Sequence, residues 1–531
     1  MKRLSQLESN QALHRILVSL SVLAISLTAV FLSLHLLDDT DILWHLKTGE
    51  VIFHHGPPHQ DIYSFVAEGN EWIDAQWLFQ LIIYLVYRLF GFPGMSWFLS
   101  FMIVLSWGII FAQSYERNSY FLTLLICIIS LWASRVRFTL RPEIFTFLFI
   151  TIYLFIFESH LKEPSRKIYL IPIMQIFWAN LEGLWPIGIS IIGFYFLEMM
   201  INYFYRKTLN KTQLKNMLIV LIASLTASLI TPYHIKGFLF PLTLIQQVVL
   251  GSNPLKNLIV EFLPPFQRGT DYPLFFQIPF ALMIVIGGAS FLLNLKNFSI
   301  ARFLFWAIFL FLAIRANRNI ALFSIISAIY GSKNFSEFLC NRQISLKNLL
   351  RIKWTSLALG LCLSIFLMVD IATKLFFSQE KLYRRLGAGF DLVKYPLSAG
   401  QLLKEIGFKG KIYNQIPMAS YLIWAGYPDW KIYIDGRLEV YGAEQVVKAT
   451  DTETGYDRFL EEDNKYDFEL ALINYKLDYA NFLAMDLLKD FNWVPIFKDW
   501  HTLLFIKNKP QYLPIIQQYQ LSREQILKEL H

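Results

Sequence analysis

The stretch ILVSLSVLAISLTAVFLSLHLLDDTDILWH, residues 16–45, decides how the rest of the chain is read. Ile16 to Leu37 form an apolar run long enough to cross the ~30 Å hydrocarbon core of a bilayer as a helix. A secretory signal core spans only about 7–15 residues, and no small-residue cleavage pattern follows Leu37. The run therefore reads as a retained first span. Lys2, Arg3 and Arg15 precede it and place the N-terminus on the cytoplasmic side. Asp38, Asp39 and Asp41 then leave the membrane together on the outer face, with Trp44 and His45 directly behind them.

Composition extends this reading outward. The 531 residues are 55% hydrophobic, 16% aromatic and 17% charged, with a mean hydropathy of +0.42. A soluble domain usually carries about 25% charged residues. Long apolar runs recur as far as residue 374, after which the sequence becomes mixed and turn-rich. The expected architecture is an all-α polytopic membrane domain over 1–374, followed by a small α/β extracytoplasmic domain over 375–531. The net charge of +8 sits mainly in short loops between apolar runs, as topology control requires. No basic–aromatic stripe tracks a nucleic acid backbone, so nucleic acid is excluded as a partner. Cys127, Cys340 and Cys362 show no zinc-binding spacing, and the C-terminal part does without disulfides.

Apolar length predicts about eleven spans, at 15–37, 95–113, 119–134, 142–159, 168–180, 184–205, 216–231, 273–294, 300–314, 317–331 and 354–374. The amphipathic run 77–90 fits a helix lying in the interface, and 237–250 is read the same way. With that parity, Lys162, Arg166, Lys167, Arg206, Lys207, Lys211 and Lys215 fall inside. So does a loop carrying Lys333, Arg342, Lys347, Arg351 and Lys353. The C-terminal domain then falls outside. The outer cations are grouped rather than scattered: Arg135, Arg137 and Arg141 mark one turn, Arg315 and Arg318 another. Ionisable residues at bilayer depth are functional candidates by default. Arg141-Pro142-Glu143 also reads as a helix start, with Pro in the first turn and Glu favoured by the dipole.

The first outer loop, 38–94, is long, acidic and rich in Trp and His. Long ordered loops are usually functional. A carboxylate at the membrane surface suits the deprotonation of an acceptor hydroxyl. A leaving lipid phosphate calls for arginine, whose fork matches phosphate oxygens. Trp44, Trp72 and Trp77 offer faces for a sugar, and the same residues also suit interface anchoring. His54, His55 and His59 could hold a metal, but each reads more simply as a solvated or structural histidine, and no dedicated metal site is expected.

Asp39-x-Asp41-x-x-Trp44-His45-Leu46-x-x-Gly49, followed by Trp72-x-Asp74-x-Gln76-Trp77-Leu78-x-Gln80, resembles the polytopic bacterial glycosyltransferases of the GT-C class. The resemblance is to the branch near protein O-mannosyltransferases, aminoarabinose transferases and rhizobial galacturonosyl transferases. Leu89-Phe90-Gly91 resembles the turn that ends their interfacial helix. It implies a polyprenyl-phosphate sugar donor, a glycolipid, lipopolysaccharide or protein acceptor, and chemistry at the outer face of a bacterial inner membrane. Carried over by position, Asp39 is the catalytic candidate and Asp41 the second. Arg135, Arg137, Arg141, Arg315 and Arg318 would bind the donor phosphate. Trp44, His45, Asp74, Gln76, Trp77, Glu143, Asn180 and Glu182 would contact substrate. Glu182 departs from the His that relatives often carry at this turn. No organic cofactor is implied; magnesium or manganese at Asp39 and Asp41 is the one ion the reading admits. It requires Asp39 and the arginine turns to converge on one outward-facing chamber.

In the C-terminal part, 411–415, 431–435 and 469–475 read as strands, with helices over 418–426 and around 456–463. Residues 493–498 and 502–507 read as a hairpin about Asp499-Trp500-His501. Asp435-Gly436-Arg437 follows a strand, where α/β sheets place ligands; it reads as a structural turn, with contact to an acceptor or to the first outer loop as the other reading. No GxGxxG or P-loop is present. Competing readings are an oligosaccharide ligase using a lipid-diphosphate donor, a transporter or flippase, and an envelope scaffold. The chain shows neither the internal repeat nor the paired broken helices expected of a transporter. Glu261-Phe262-Leu263-Pro264-Pro265 reads as a rigid loop.

Overall fold

A computed structural model describes residues 2–117, 119–207, 211–245, 260–266, 274–341, 345–373, 384–477 and 480–530. Arg342 and most of the 252–272 loop lie outside the described residues. The chain packs as two compact units. One comprises Met1–Leu37, Leu89–Pro241 and Lys256–Gly389; the other comprises Asp38–Arg88, Leu242–Leu255 and Phe390–His531. The first outer loop, assigned from sequence to the membrane domain, thus packs with the C-terminal residues.

The first unit is helical. Among the described residues, six helices are long and apolar enough to cross a membrane: Gln11–Ser33, Trp77–Ser114 (which belongs to this unit from Leu89 onward), Tyr120–Arg137, Glu143–Lys162, Pro186–Arg206 and Lys347–Thr373. Helices Ile171–Leu181, Lys211–Ala227, Leu274–Leu293, Ile300–Arg315 and Ile320–Asn341 fall on the other expected runs. The helix from Trp77 is broken at Gly91 (φ 64°, ψ −166°), just ahead of Pro93. That backbone suits a residue without a Cβ. The first helix stops at Ser33, short of the expected Leu37. The Leu36 and Leu37 amides instead donate to the carbonyls of Arg385 and Gly389 at 2.9 and 2.8 Å. Main-chain pairing replaces the last helical turn, and apolar composition alone does not reveal it.

Lys333, expected in a cytoplasmic loop, is instead buried inside helix Ile320–Asn341. Its ammonium meets Glu158 at 2.5 Å, and Arg302 reaches the same carboxylate at 2.7 Å. Tyr195 donates to the other Glu158 oxygen, and Arg302 also reaches Glu337 at 3.0 Å. A buried charge in a helical bundle persists only when paired and hydrogen-bonded. Glu158 supplies the partner that lets Lys333 leave water.

The described residues of the second unit form the strands β1 (Gly410–Asn414), β2 (Trp430–Ile432), β3 (Leu470–Asn474), β4 (Trp493–Lys498) and β5 (Thr502–Lys507). They make one five-stranded mixed sheet of order β2-β1-β3-β5-β4. β1 runs parallel to both β2 and β3, whereas β5 runs antiparallel to β3 and β4. Parallel neighbours need a crossover, and helix Ile416–Gly426 supplies it between β1 and β2. The apolar runs of β3 and β5 are buried on both faces, as in a covered sheet. The first outer loop extends the sheet past β2: the Ile432 amide donates to the Tyr63 carbonyl at 3.1 Å, and the Phe65 amide to Ile432 at 3.2 Å. Trp44, Tyr63 and Trp72 share one apolar core with residues of the sheet.

Candidate functional site

The chain leaves the first helix through three aspartates whose groups are already engaged. The Asp38 carboxylate pairs with Lys394 at 2.7 Å. Asp39 is buried; its side chain accepts the Asp41 amide at 2.9 Å, and its carbonyl accepts the Tyr395 hydroxyl at 2.7 Å. Asp41 accepts Trp44 Nε1 at 3.3 Å. These bonds form a tight turn ahead of helix Ile42–His55. The Trp44 amide, one of the donors a helix start leaves without an intrahelical partner, goes to Ser420 Oγ at 2.9 Å. His45 lies against Trp44 with ring centroids 3.7 Å apart and the rings tilted by 34°, and Gln80 Nε2 lies 3.3 Å from its Nδ1.

Asp74 opens the helix that begins at Trp77. Its Oδ1 accepts the Gln76 amide and Gln80 Nε2, both at 3.1 Å. Burial pushes the Asp74 carboxyl up to about 7, with Glu439 adding to the rise and Arg437 opposing it. Gln76 and Trp77 lie half-buried at this helix start. Glu439 is exposed at the edge of this group; the protein around it raises its carboxyl, with Asp435 and Asp41 pushing the same way against Arg437.

Arg437 lies at the centre of this group and is fully buried. It pairs with Asp61 at 2.7 Å, and its Nε meets Asp435 at 3.0 Å. Its guanidinium lies 4.4 Å from the centroid of Trp72 and 4.9 Å from that of Tyr63. Arginine suits such a position, because its planar fork pairs with carboxylates while its face stacks on rings. The turn's Gly436 lies directly against Asp41: a Cβ there would come 2.5 Å from Asp41 Oδ1.

The first unit holds a second polar cluster. Arg137 is buried and reaches Glu143, through Nε at 2.9 Å, and Glu261 at 2.8 Å. Arg141 reaches the other Glu261 oxygen at 3.2 Å. Arg318 stacks on Phe262 at 5.1 Å, while the Asn317 amide donates to the Leu263 carbonyl at 3.0 Å. Burial alone would raise the Glu261 carboxyl, but Arg137, Arg141 and Arg318 outweigh it and hold it below the ordinary range. Burial pushes Glu182 up to about 7, with Glu143 adding to this and Arg318 and Arg137 opposing.

Of the five arginines expected to bind phosphate, Arg137, Arg141 and Arg318 thus share one cluster. Arg135 pairs instead with Asp370 at 3.5 Å, and Arg315 lies exposed over Phe311 of its own helix. Asn180 donates to the carbonyls of Ile176 and Ile230, both at 2.7 Å, and so ties two chain segments together. Asp61 and Glu439 are participants that sequence reasoning left out, while Gln80, Glu261 and Arg437 were read from sequence without an assigned site role. Gln80 stood inside the quoted motif and Arg437 directly after a strand, so position flagged both without revealing their partners. Among the described residues, no group of three His, Cys, Asp or Glu side chains is placed to hold a metal ion.

These features belong to a chain with the fold of GT-C membrane glycosyltransferases. An archaeal oligosaccharyltransferase, AglB from Archaeoglobus fulgidus, solved with an inhibitory peptide and a dolichol-phosphate, superposes with a TM-score of 0.63 at 12% identity, covering 94% of this chain and 75% of its own. ArnT from Cupriavidus metallidurans, bound to undecaprenyl phosphate, superposes with a TM-score of 0.53 at 9% identity, covering 92% of this chain and 97% of its own. Neither a protein-family model nor a curated protein sequence matches the chain.

Proposed function

We propose that this chain is an integral membrane glycosyltransferase that moves a sugar from a polyprenyl-phosphate donor to an acceptor on the outer face of a bacterial inner membrane. The observation that carries the reading is the pair Asp39 and Asp41 at the first helix exit, on a fold shared with proteins solved bound to polyprenyl phosphates. A glycolipid, lipopolysaccharide or protein would be the acceptor. In the reaction the Asp39 carboxylate takes the acceptor hydroxyl proton. The acceptor oxygen bonds to the anomeric carbon, and the bond from that carbon to the lipid phosphate oxygen breaks. The phosphate leaves with the electron pair, and Arg137, Arg141 and Arg318 offset its charge. Arg135 and Arg315 would act at a greater remove, given the contacts they make. Trp44, His45, Asp74, Gln76, Trp77, Glu143, Asn180 and Glu182 make up the proposed substrate surroundings. A divalent cation, where one is bound, would be held by Asp39 and Asp41 and would supply charge neutralisation.

The membrane part is proposed to cross eleven times, with the N-terminus cytoplasmic and the C-terminal domain outside. That parity keeps most of the loop cations inside. The likeness to AglB favours one second reading, transfer of an oligosaccharide from a lipid diphosphate to a peptide. Both readings are tested by incubating the purified protein in detergent or liposomes with radiolabelled polyprenyl-phosphate sugar or lipid-diphosphate glycan. Wild type should transfer label from the monophosphate donor to an outer-membrane glycolipid or peptide acceptor, and Asp39→Asn should not, at equal expression. Full activity in Asp39→Asn would remove it from the mechanism.

A further inference from the structure

We infer that the Asp435-Gly436-Arg437 turn is a positioning element for the reactive carboxylates of the first outer loop, with Gly436 acting as the stop against which Asp41 rests. The inference relies on the transfer reading above for its consequence, but not for the contact itself. Two sets of contacts on either side of one glycine support it. Upstream, the Asp39-to-Trp44 turn aims the Asp41 carboxylate at Gly436. Asp41 Oδ1 would lie 2.5 Å from a Cβ at that position, its Cγ 3.4 Å away and Trp44 Nε1 3.8 Å away. Downstream, Arg437 fastens the same turn to the first loop through Asp61 at 2.7 Å and through the faces of Trp72 and Tyr63.

Gly436 is not required by its backbone, since it is absent from the glycines with positive φ. A side chain is excluded there only by what it would meet. The nearest atom is the far end of Asp41, not backbone, so a methyl group would displace that carboxylate and leave the turn in place. The turn itself cannot drift, because the Arg437 N–H and Nε both bond Asp435, at 2.8 and 3.0 Å, and Tyr441 donates to the same carboxylate at 2.8 Å. The Trp44 amide bond to Ser420 holds the other side. The loop aspartate is therefore located by a residue almost four hundred positions away in sequence, and a glycine is what allows the close approach.

Two measurements test this. The first reads the contact alone: Asp41→Cys with Gly436→Cys, in a background with exposed Cys340 and Cys362 changed to serine. The pair should form a disulfide under mild oxidation, detected as a peptide cross-link after proteolysis, because bridging needs close, facing Cβ atoms. A pair that stays reduced overturns the inference, whatever reaction the protein performs. The second reads the consequence. Gly436→Ala should lower kcat about a hundredfold, the scale of a misplaced reacting group, with little change in acceptor KM and no loss of thermal stability in detergent. In an Asp41→Ala background, Gly436→Ala should add nothing. Independent, additive losses from the two changes, or a Gly436→Ala variant of wild-type rate, overturn the inference. A protein that forms the cross-link but transfers from neither donor would sink the proposed reaction while the positioning contact stands.

Discussion

Arg437 and Asp61 form an ion pair at 2.7 Å in which neither side chain is exposed to solvent. Removing one member of such a pair leaves a buried charge without compensation, a loss of about 3–5 kcal/mol. Arg437→Met should therefore destabilise the second unit by that order, because it abandons both Asp61 and Asp435. Denaturant unfolding of the detergent-solubilised protein, read against Lys448→Ala, checks it. Lys448 pairs with exposed Glu444, and its loss should leave the midpoint unmoved. Equal midpoints for the two variants would remove Arg437 from the fold's support.

Burial of Asp74 fixes the sign of an expected pH dependence. Its carboxyl rises from an ordinary 3.8 to about 7 on folding, mainly through burial. The folded chain therefore binds more protons than the unfolded chain between those values, and stability falls as pH rises through that window. The full cost, reached above pH about 7, is on the order of 4 kcal/mol. Asp74→Asn keeps the Oδ1 acceptor for the Gln76 and Gln80 bonds and removes the charge. The variant should be more stable than wild type at pH 8 and should lose that advantage by pH 4. Melting temperatures across that range read the result; a constant difference would rule out ionisation of Asp74 as the cause.

How much of this was legible in sequence follows from how local each feature is. The hairpin 493–507 declared itself through two apolar runs about a polar turn, and the strands fall on those residues. The end of the first helix did not, because Leu34, Leu36 and Leu37 are as apolar as the helix before them and their pairing with 385–389 is not local. Lys333 read as a loop cation because its partner Glu158 lies 175 positions away. Arg137 and Arg318 were visible as grouped cations, but Glu261, which holds Arg137 and Arg141 in one place, read as an ordinary loop residue.

Glu158 offers a test of buried charge in the first unit. It faces Arg302 and Lys333 at once, both buried, so Glu158→Ala would take that carboxylate from both cations while Arg302 keeps Glu337. Folding in the membrane should fail or fall by about 3–5 kcal/mol. Glu158→Ala combined with Lys333→Met should recover part of the loss, since one of the two abandoned cations is gone. Detergent thermostability and yield of folded protein, measured for the single and the double change, read the coupling. A double variant as poor as the sum of its singles would argue against a shared network.

The Arg137, Arg141 and Glu261 arrangement predicts opposite effects from neighbouring substitutions. Glu261 is held by both arginines, at 2.8 and 3.2 Å, and Arg318 also acts on its charge. An anionic donor phosphate approaching those guanidinium groups must compete with that carboxylate. Arg141→Ala or Arg318→Ala should weaken donor binding by roughly 10–100-fold, the worth of one charge-assisted hydrogen bond. Glu261→Gln should strengthen it, because a neutral amide does not compete for the same cations. Donor titrations at fixed acceptor, repeated at two salt concentrations, separate these outcomes. Added salt should weaken binding most where the cluster carries the largest net positive charge, which is in Glu261→Gln. If all three variants shift donor KM in the same direction, the cluster supports the fold, and phosphate is held elsewhere.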